Sequence, residues 1–133
     1  MLANWDVVGL EYDNIGCADK KCSKAFRVDV GGALLYRALG QPKGKLFDSI
    51  PTEHETLLNK NKNPQSALVF EELTPDILKK SASFLQKVND SKVKELVNMY
   101  KPYLLSNSRI KDQVDNLEQT LLERKKFLLS NYS

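Results

Sequence analysis

Histidine is almost absent from this chain. His54 stands alone, which removes most arrangements in which an imidazole works beside a nucleophile, a second imidazole or a metal. Its neighbours Thr52, Glu53 and Glu55 place it in the first turn of a short helix rather than in a catalytic pair. Cysteine is nearly as scarce. Cys17 and Cys22 are too few for the disulfide framework of a small secreted domain; a bridge between them is sterically possible but implies an oxidising compartment that nothing else in the sequence supports, so they are read as free thiols, at least one of them partly buried. A zinc site on Cys17 and Cys22 needs two further ligands, from His54 and a carboxylate or from a second chain. A cysteine nucleophile activated by His54 has no local signature to support it.

Long apolar runs are missing as well. No stretch approaches the roughly 18 residues of a membrane span, and the N-terminus has no basic segment followed by an apolar one. The expectation is a soluble, cytoplasmic protein without a membrane span. Arginine is also in short supply: Arg27, Arg37, Arg109 and Arg124 stand against 16 lysines, although planar, bidentate recognition of phosphate or guanine favours arginine. The formal net charge is only +3, from 20 basic and 17 acidic side chains, so the long-range field is modest. Patterns for cofactors fail too. Residues 40–45 have glycine spacing one short of a phosphate-binding loop, with Leu46 where a hydroxyl would hold magnesium, and no cofactor is expected.

What is present is the composition of a folded domain. The 133 residues are 41% hydrophobic and 28% charged, a length that can hide roughly 65–70% of the unfolded surface. One domain is expected over residues 1–133, with a mixed part at 1–73 and a helical part at 74–133.

In the mixed part, Val8, Leu10 and Tyr12 alternate with polar or small residues, as do Phe26, Val28 and Val30, which is the period of half-buried strands. The two segments are expected to pair antiparallel across an exposed polar connection at 13–24. After Gly31 and Gly32, residues 33–39 read as two helical turns. Thr52 and Glu55 form a capping box for a short helix over 53–59, 59–64 is a solvated turn, and 67–71, an apolar run of strand length, is read as a third strand with helix as the alternative.

The helical part is better punctuated. Thr74 as cap, Pro75 at the first helical position and Asp76 in the first turn predict a helix over 75–89, with Ile77, Leu78, Ala82, Leu85 and Val88 as its apolar stripe. Asp90 or Ser91 caps a second helix carrying Val93, Leu96, Val97, Tyr100 and Leu104, and Pro102 is expected to kink or end it. From Ser108 the stripe resumes through Ile110, Val114, Leu117, Leu121 and Leu128, with Arg124 at an intervening seam position. One heptad phase runs back through Val93, Leu96, Tyr100, Tyr103 and Asn107. The preferred arrangement is an antiparallel helical hairpin turning near 106–108, with a coiled-coil dimer as the alternative.

The fold class is therefore α+β: a small N-terminal antiparallel sheet with short helices, then a block of about three amphipathic helices. Function is expected from surfaces rather than from a reaction centre. The leading reading is a non-catalytic adaptor, chaperone or assembly subunit that docks another protein, or a second copy, through the C-terminal helices, using Leu104, Leu105, Leu122, Phe127 and Leu129. An alternative is a nucleic-acid accessory factor using Lys20, Lys21, Lys24 and Arg27 together with Arg124, Lys125 and Lys126. A second alternative is a small metalloprotein or enzyme built on Cys17 and Cys22.

Overall fold

A computed structural model describes every residue except Trp5, Ala38, Asn107 and Ser133, together with the side chain of His54. It shows an α+β chain with a two-stranded antiparallel sheet near the N-terminus and helices concentrated in the C-terminal half. The chain divides into two compact units that interleave in sequence. One comprises Met1–Leu2, Pro42–Pro51 and Leu73–Ser133, the other Ala3–Gln41 and Thr52–Glu72.

In the second of these units, strand β1 (Ile15–Cys17) pairs with β2 (Ala25–Arg27) in the register Ile15 to Arg27, Gly16 to Phe26 and Cys17 to Ala25. The hairpin is antiparallel as expected, but its first strand is not residues 8–12. Gly9 and Tyr12 both take positive φ, +82° and +60°, and the Asn14 amide donates to the Val8 carbonyl at 3.1 Å. The segment folds back on itself, because a left-handed residue at each end cannot continue a ladder. The strand moves into the polar stretch that follows. A Cβ at Gly16 would lie 2.5 Å from the ring of Phe26 across the pair, so any larger residue there would displace that ring. β2 in turn stops at Arg27, where Asp29 accepts from the Gly31 amide at 2.7 Å and turns the chain.

Two further expectations in this unit are corrected. Residues 33–39 form turns rather than helix, since Leu34 has φ +56°; Ala38 of that segment lies outside the described residues. The run at 67–71 is not a third strand. Asn63 accepts from the Ser66 amide at 3.1 Å with Pro64 behind it, and helix α2 (Pro64–Val69) follows. A cap with proline at the first position outweighs the β-branched content of so short a run. Before it, α1 (Glu53–Leu58) forms where expected, but Thr52 makes no side-chain cap bond, so the capping box is not closed.

In the other unit, α3 (Pro75–Ser83) starts as predicted, Thr74 Oγ1 accepting from the Ile77 amide at 3.3 Å. Its α geometry stops sooner than the expected 89. Ser83 Oγ donates to the Lys80 carbonyl at 2.7 Å, a back-bond that bends helices, and Phe84–Lys87 continue as a 3-10 turn. Helix α4 (Asp90–Leu104) is capped by Asn89, not by Asp90 or Ser91: its side chain accepts from the amides of Ser91 and Lys92 at 2.9 and 3.4 Å. Pro102 lies within the helix, which closes at Leu104.

The last segment, whose stripe runs unbroken in sequence from Ser108, is divided. A 3-10 turn (Ser108–Ile110), α5 (Lys111–Asp115) and α6 (Leu117–Tyr132) succeed one another. Asn116 marks the break, donating from its side chain to the Asp112 carbonyl at 2.9 Å. Helix α6 packs against both α3 and α4. The expected antiparallel sense of α4 against the final segment is visible in the ion pairs. Asp90 meets Lys125, Lys94 meets Glu118 at 3.5 Å and Lys101 meets Asp115 at 3.0 Å, so numbers rise on one helix as they fall on the other. The turn joining them includes Asn107, outside the described residues.

Ile110, Val114, Leu117 and Leu121 are buried along this seam, with Val93, Val97 and Ala82 opposite. Among the described residues no helix is long and apolar enough to cross a membrane.

Candidate docking surface

The surface follows from how α4 spends its apolar residues. Val93, Val97 and Leu104 share the inward face at spacings of four and seven, the first two buried and Leu104 half-buried. A second row, Leu96, Met99, Tyr100 and Tyr103, runs along the neighbouring face at spacings of three, one and three. These four are left outside. Their exposures are 43%, 51%, 54% and 76% in chain order. The sequence assigns Leu96 and Tyr100 to the same buried stripe as Val93; the structure places only the narrower part of that stripe in the core. The signal was available in the sequence as a helix with more apolar positions than one contact face uses.

The residues singled out from the sequence divide differently. Leu104, Leu105, Leu122, Phe127 and Leu129 are all half-buried. Leu122 and Leu129 come together on α6, where they line an open groove of about 390 Å³ beside Asp90. The rim carries Glu123, Lys125 and Lys126. Lys125 is held in place there, donating to the Val88 carbonyl at 2.6 Å and to the Asp90 carboxylate, with 14% of its side chain exposed. It closes the start of α4 onto α6.

The basic residues considered for nucleic acid fall in both units. Lys20, Lys21 and Lys24 are exposed on the connection between β1 and β2. Arg27 is turned to its own unit, donating to the carbonyls of Asn14, Asp6 and Asp29 at 3.3, 3.0 and 2.8 Å. Arg124 is fully buried. Its Nε donates to the Met1 carbonyl at 2.9 Å, its Nη1 donates to that of Asp48, and the guanidinium lies 5.2 Å from the centroid of Phe47. Lys126 is exposed. Both arginines thus donate to backbone oxygens of their own unit.

The cysteines are not free thiols. Cys17 and Cys22 form a disulfide, with Cα atoms 4.8 Å apart, so neither sulfur is available in this form as a zinc thiolate or a nucleophile. Among the described residues no group of three or more histidine, cysteine, aspartate or glutamate side chains is placed to hold a metal ion. The side chain of His54 lies outside the described residues.

A second depression, about 300 Å³, lies between the 3-10 turn at Gly44–Leu46 and the α5–α6 junction, with Asp48, Asp112, Gln113 and Thr120 on its walls. Polar groups line it. No protein-family model, curated protein or solved structure matches this chain.

Proposed function

We propose that the helical unit is a non-catalytic docking module that receives an amphipathic helix of another protein on the outer row of α4. The single observation that carries this reading is the exposure of Leu96, Met99, Tyr100 and Tyr103 on one side of a helix whose other side is packed. Tyrosine and methionine are enriched in interfaces because they offer wide, adaptable contact area. Each tyrosine buries roughly 150–250 Å² when fully covered, so the row amounts to a patch of a few hundred Å², the size of the largest apolar patch on an ordinary monomer, which is often functional.

That area fits one partner helix better than a broad flat surface. A stable protein interface takes about 800 Å² from each side, so the row acts as its centre, with more polar contacts around it. Its i, i+3, i+4, i+7 spacing is the one with which an amphipathic helix interdigitates. Leu122 and Leu129 in the α6 groove give the same unit further apolar surface.

The test is sedimentation of the purified chain, alone and with partners recovered from its host, beside Met99→Lys and Tyr103→Lys combined. Lysine is a good helix former and suits the C-terminal half of a helix, so the fold is kept. The expected result is a monomeric chain whose partner complex dissociates in the double variant. Dimerisation of the chain alone, abolished by the same changes, makes a second copy the occupant. A complex indifferent to both changes removes the row from the account.

A further inference from the structure

The connection between the strands carries chemistry that the docking surface does not use. Cys17, the last residue of β1, is bonded to Cys22, five residues on, within the turn and not across the ladder, where Cys17 faces Ala25. Both cysteines are exposed, as are Lys20, Lys21 and Lys24 around them. Cys22 is held at φ +50°, in the left-handed region, which a side chain other than that of glycine adopts reluctantly.

The same turn is shaped a second time without the sulfurs. Asp19 accepts from the amides of Lys21 and Ser23 at 2.9 and 3.1 Å and from the Ser23 hydroxyl, and its own carbonyl accepts from the Cys22 amide at 3.0 Å. The Ala18 amide closes the base of the loop onto the Lys24 carbonyl at 2.9 Å.

From this we infer that Cys17 and Cys22 are a reversible dithiol–disulfide couple that exchanges with small thiols in solution. A thiolate of the small thiol attacks one exposed sulfur, forming a mixed disulfide and expelling the other cysteine as a thiolate. A second small thiolate then attacks the small-molecule sulfur of that mixed disulfide. It leaves as the oxidised small-molecule disulfide and releases the remaining cysteine, the two departing thiolates taking up the protons of the thiols consumed. Two small thiols lose two electrons and the protein gains them. The lysines favour the reduced side, since neighbouring cations stabilise the thiolate that forms. The Asp19 turn favours the return step by holding the sulfurs in reach.

The experiment is equilibration of the full chain with mixtures of reduced and oxidised glutathione, followed by acid quenching, alkylation and mass measurement. The wild-type chain is expected to pass from disulfide to dithiol within the range of ratios that such buffers span. Lys20→Gln, Lys21→Gln and Lys24→Gln combined are expected to shift the equilibrium constant about fivefold toward the disulfide. In Cys17→Ser the mixed disulfide at Cys22 is expected to accumulate, having lost the thiol that resolves it. A bond that stays closed at every ratio, an equilibrium unmoved by the lysine changes, or a Cys22 that never forms the mixed disulfide each overturns the proposal.

Discussion

The guanidinium of Arg124 lies 5.2 Å from the ring centroid of Phe47, and both side chains are buried. The arginine occupies a position in the apolar seam of α6, between Leu121 and Leu128, yet it serves as the anchor for the segments around Met1 and Asp48, whose carbonyls it caps. A buried cation is costly unless its donors are engaged and its face is covered. Removing it leaves those oxygens without that donor. Arg124→Met is therefore expected to lower unfolding stability by about 2–4 kcal/mol, even though its volume and apolarity suit the seam. Urea denaturation followed by circular dichroism measures the loss, and a midpoint close to that of wild type contradicts the role given to the arginine.

Two helix starts that look alike in sequence should respond differently. Asn89 accepts from two amides at the start of α4, whereas Thr52 makes no side-chain cap bond at the start of α1. Asn89→Ala is expected to cost about 1 kcal/mol and Thr52→Ala only about 0.3 kcal/mol or less. Equal losses in the same urea titration contradict the capping assignments.

The Asp19 carboxyl is held below the ordinary aspartate value of 3.8, first by the Ser23 hydroxyl and then by the Ser23 amide, with smaller help from the amides of Lys21 and Cys22. Hydrogen bonds to the ionised form favour it. Because the folded value is depressed, the loop's preference for its native shape is fully present above the unfolded value and is lost as pH falls through the folded one. Carboxyl carbon shifts followed by NMR should titrate with a midpoint under 3.8, and the Ser23 amide should lose protection over the same range. In Ser23→Ala the midpoint should rise toward the ordinary value. A midpoint at or above that value in the wild-type chain removes the turn from the account.

The helical half was legible where side chains announce their own backbone chemistry. Thr74 with Pro75 starts α3 as the sequence dictates, and the 3.6-residue period finds Val93, Val97, Ile110, Val114, Leu117 and Leu121 in the core. Asn63 with Pro64 carries the same kind of signature as Thr74 with Pro75, so α2 was open to the same reasoning, and the apolar run at 67–71 drew it toward a strand instead. The N-terminal sheet was harder. Alternation at residues 8–12 reports side-chain character only, while the positive φ of Gly9 and Tyr12 decides the path. Tyr12 offers no local sign of that conformation, since it is rare for an aromatic residue.

The candidate surface was half visible for a related reason. Periodicity places Val93, Leu96 and Tyr100 on one side of α4, but the width of the contact depends on what the rest of the chain supplies. Leu122 and Leu129 were found as surplus apolar positions, whereas the exposed row appears only when burial separates Leu96 and Tyr100 from Val93 and Val97. The disulfide was set aside because nothing else in the sequence points to an oxidising compartment, although the spacing of Cys17 and Cys22 permits it. The turn that Asp19 shapes around the sulfurs is not visible in their spacing.

The most direct test of the docking account is site-specific photo-crosslinking in the native host, with a benzophenone side chain placed at position 99 or 103 on the outer row of α4 and at position 119 on α6 as a control. The account predicts a discrete adduct from 99 and 103 but not from 119, with the attached peptide belonging to an amphipathic helix of another protein. Equal labelling from all three positions, or no adduct from the row, contradicts it.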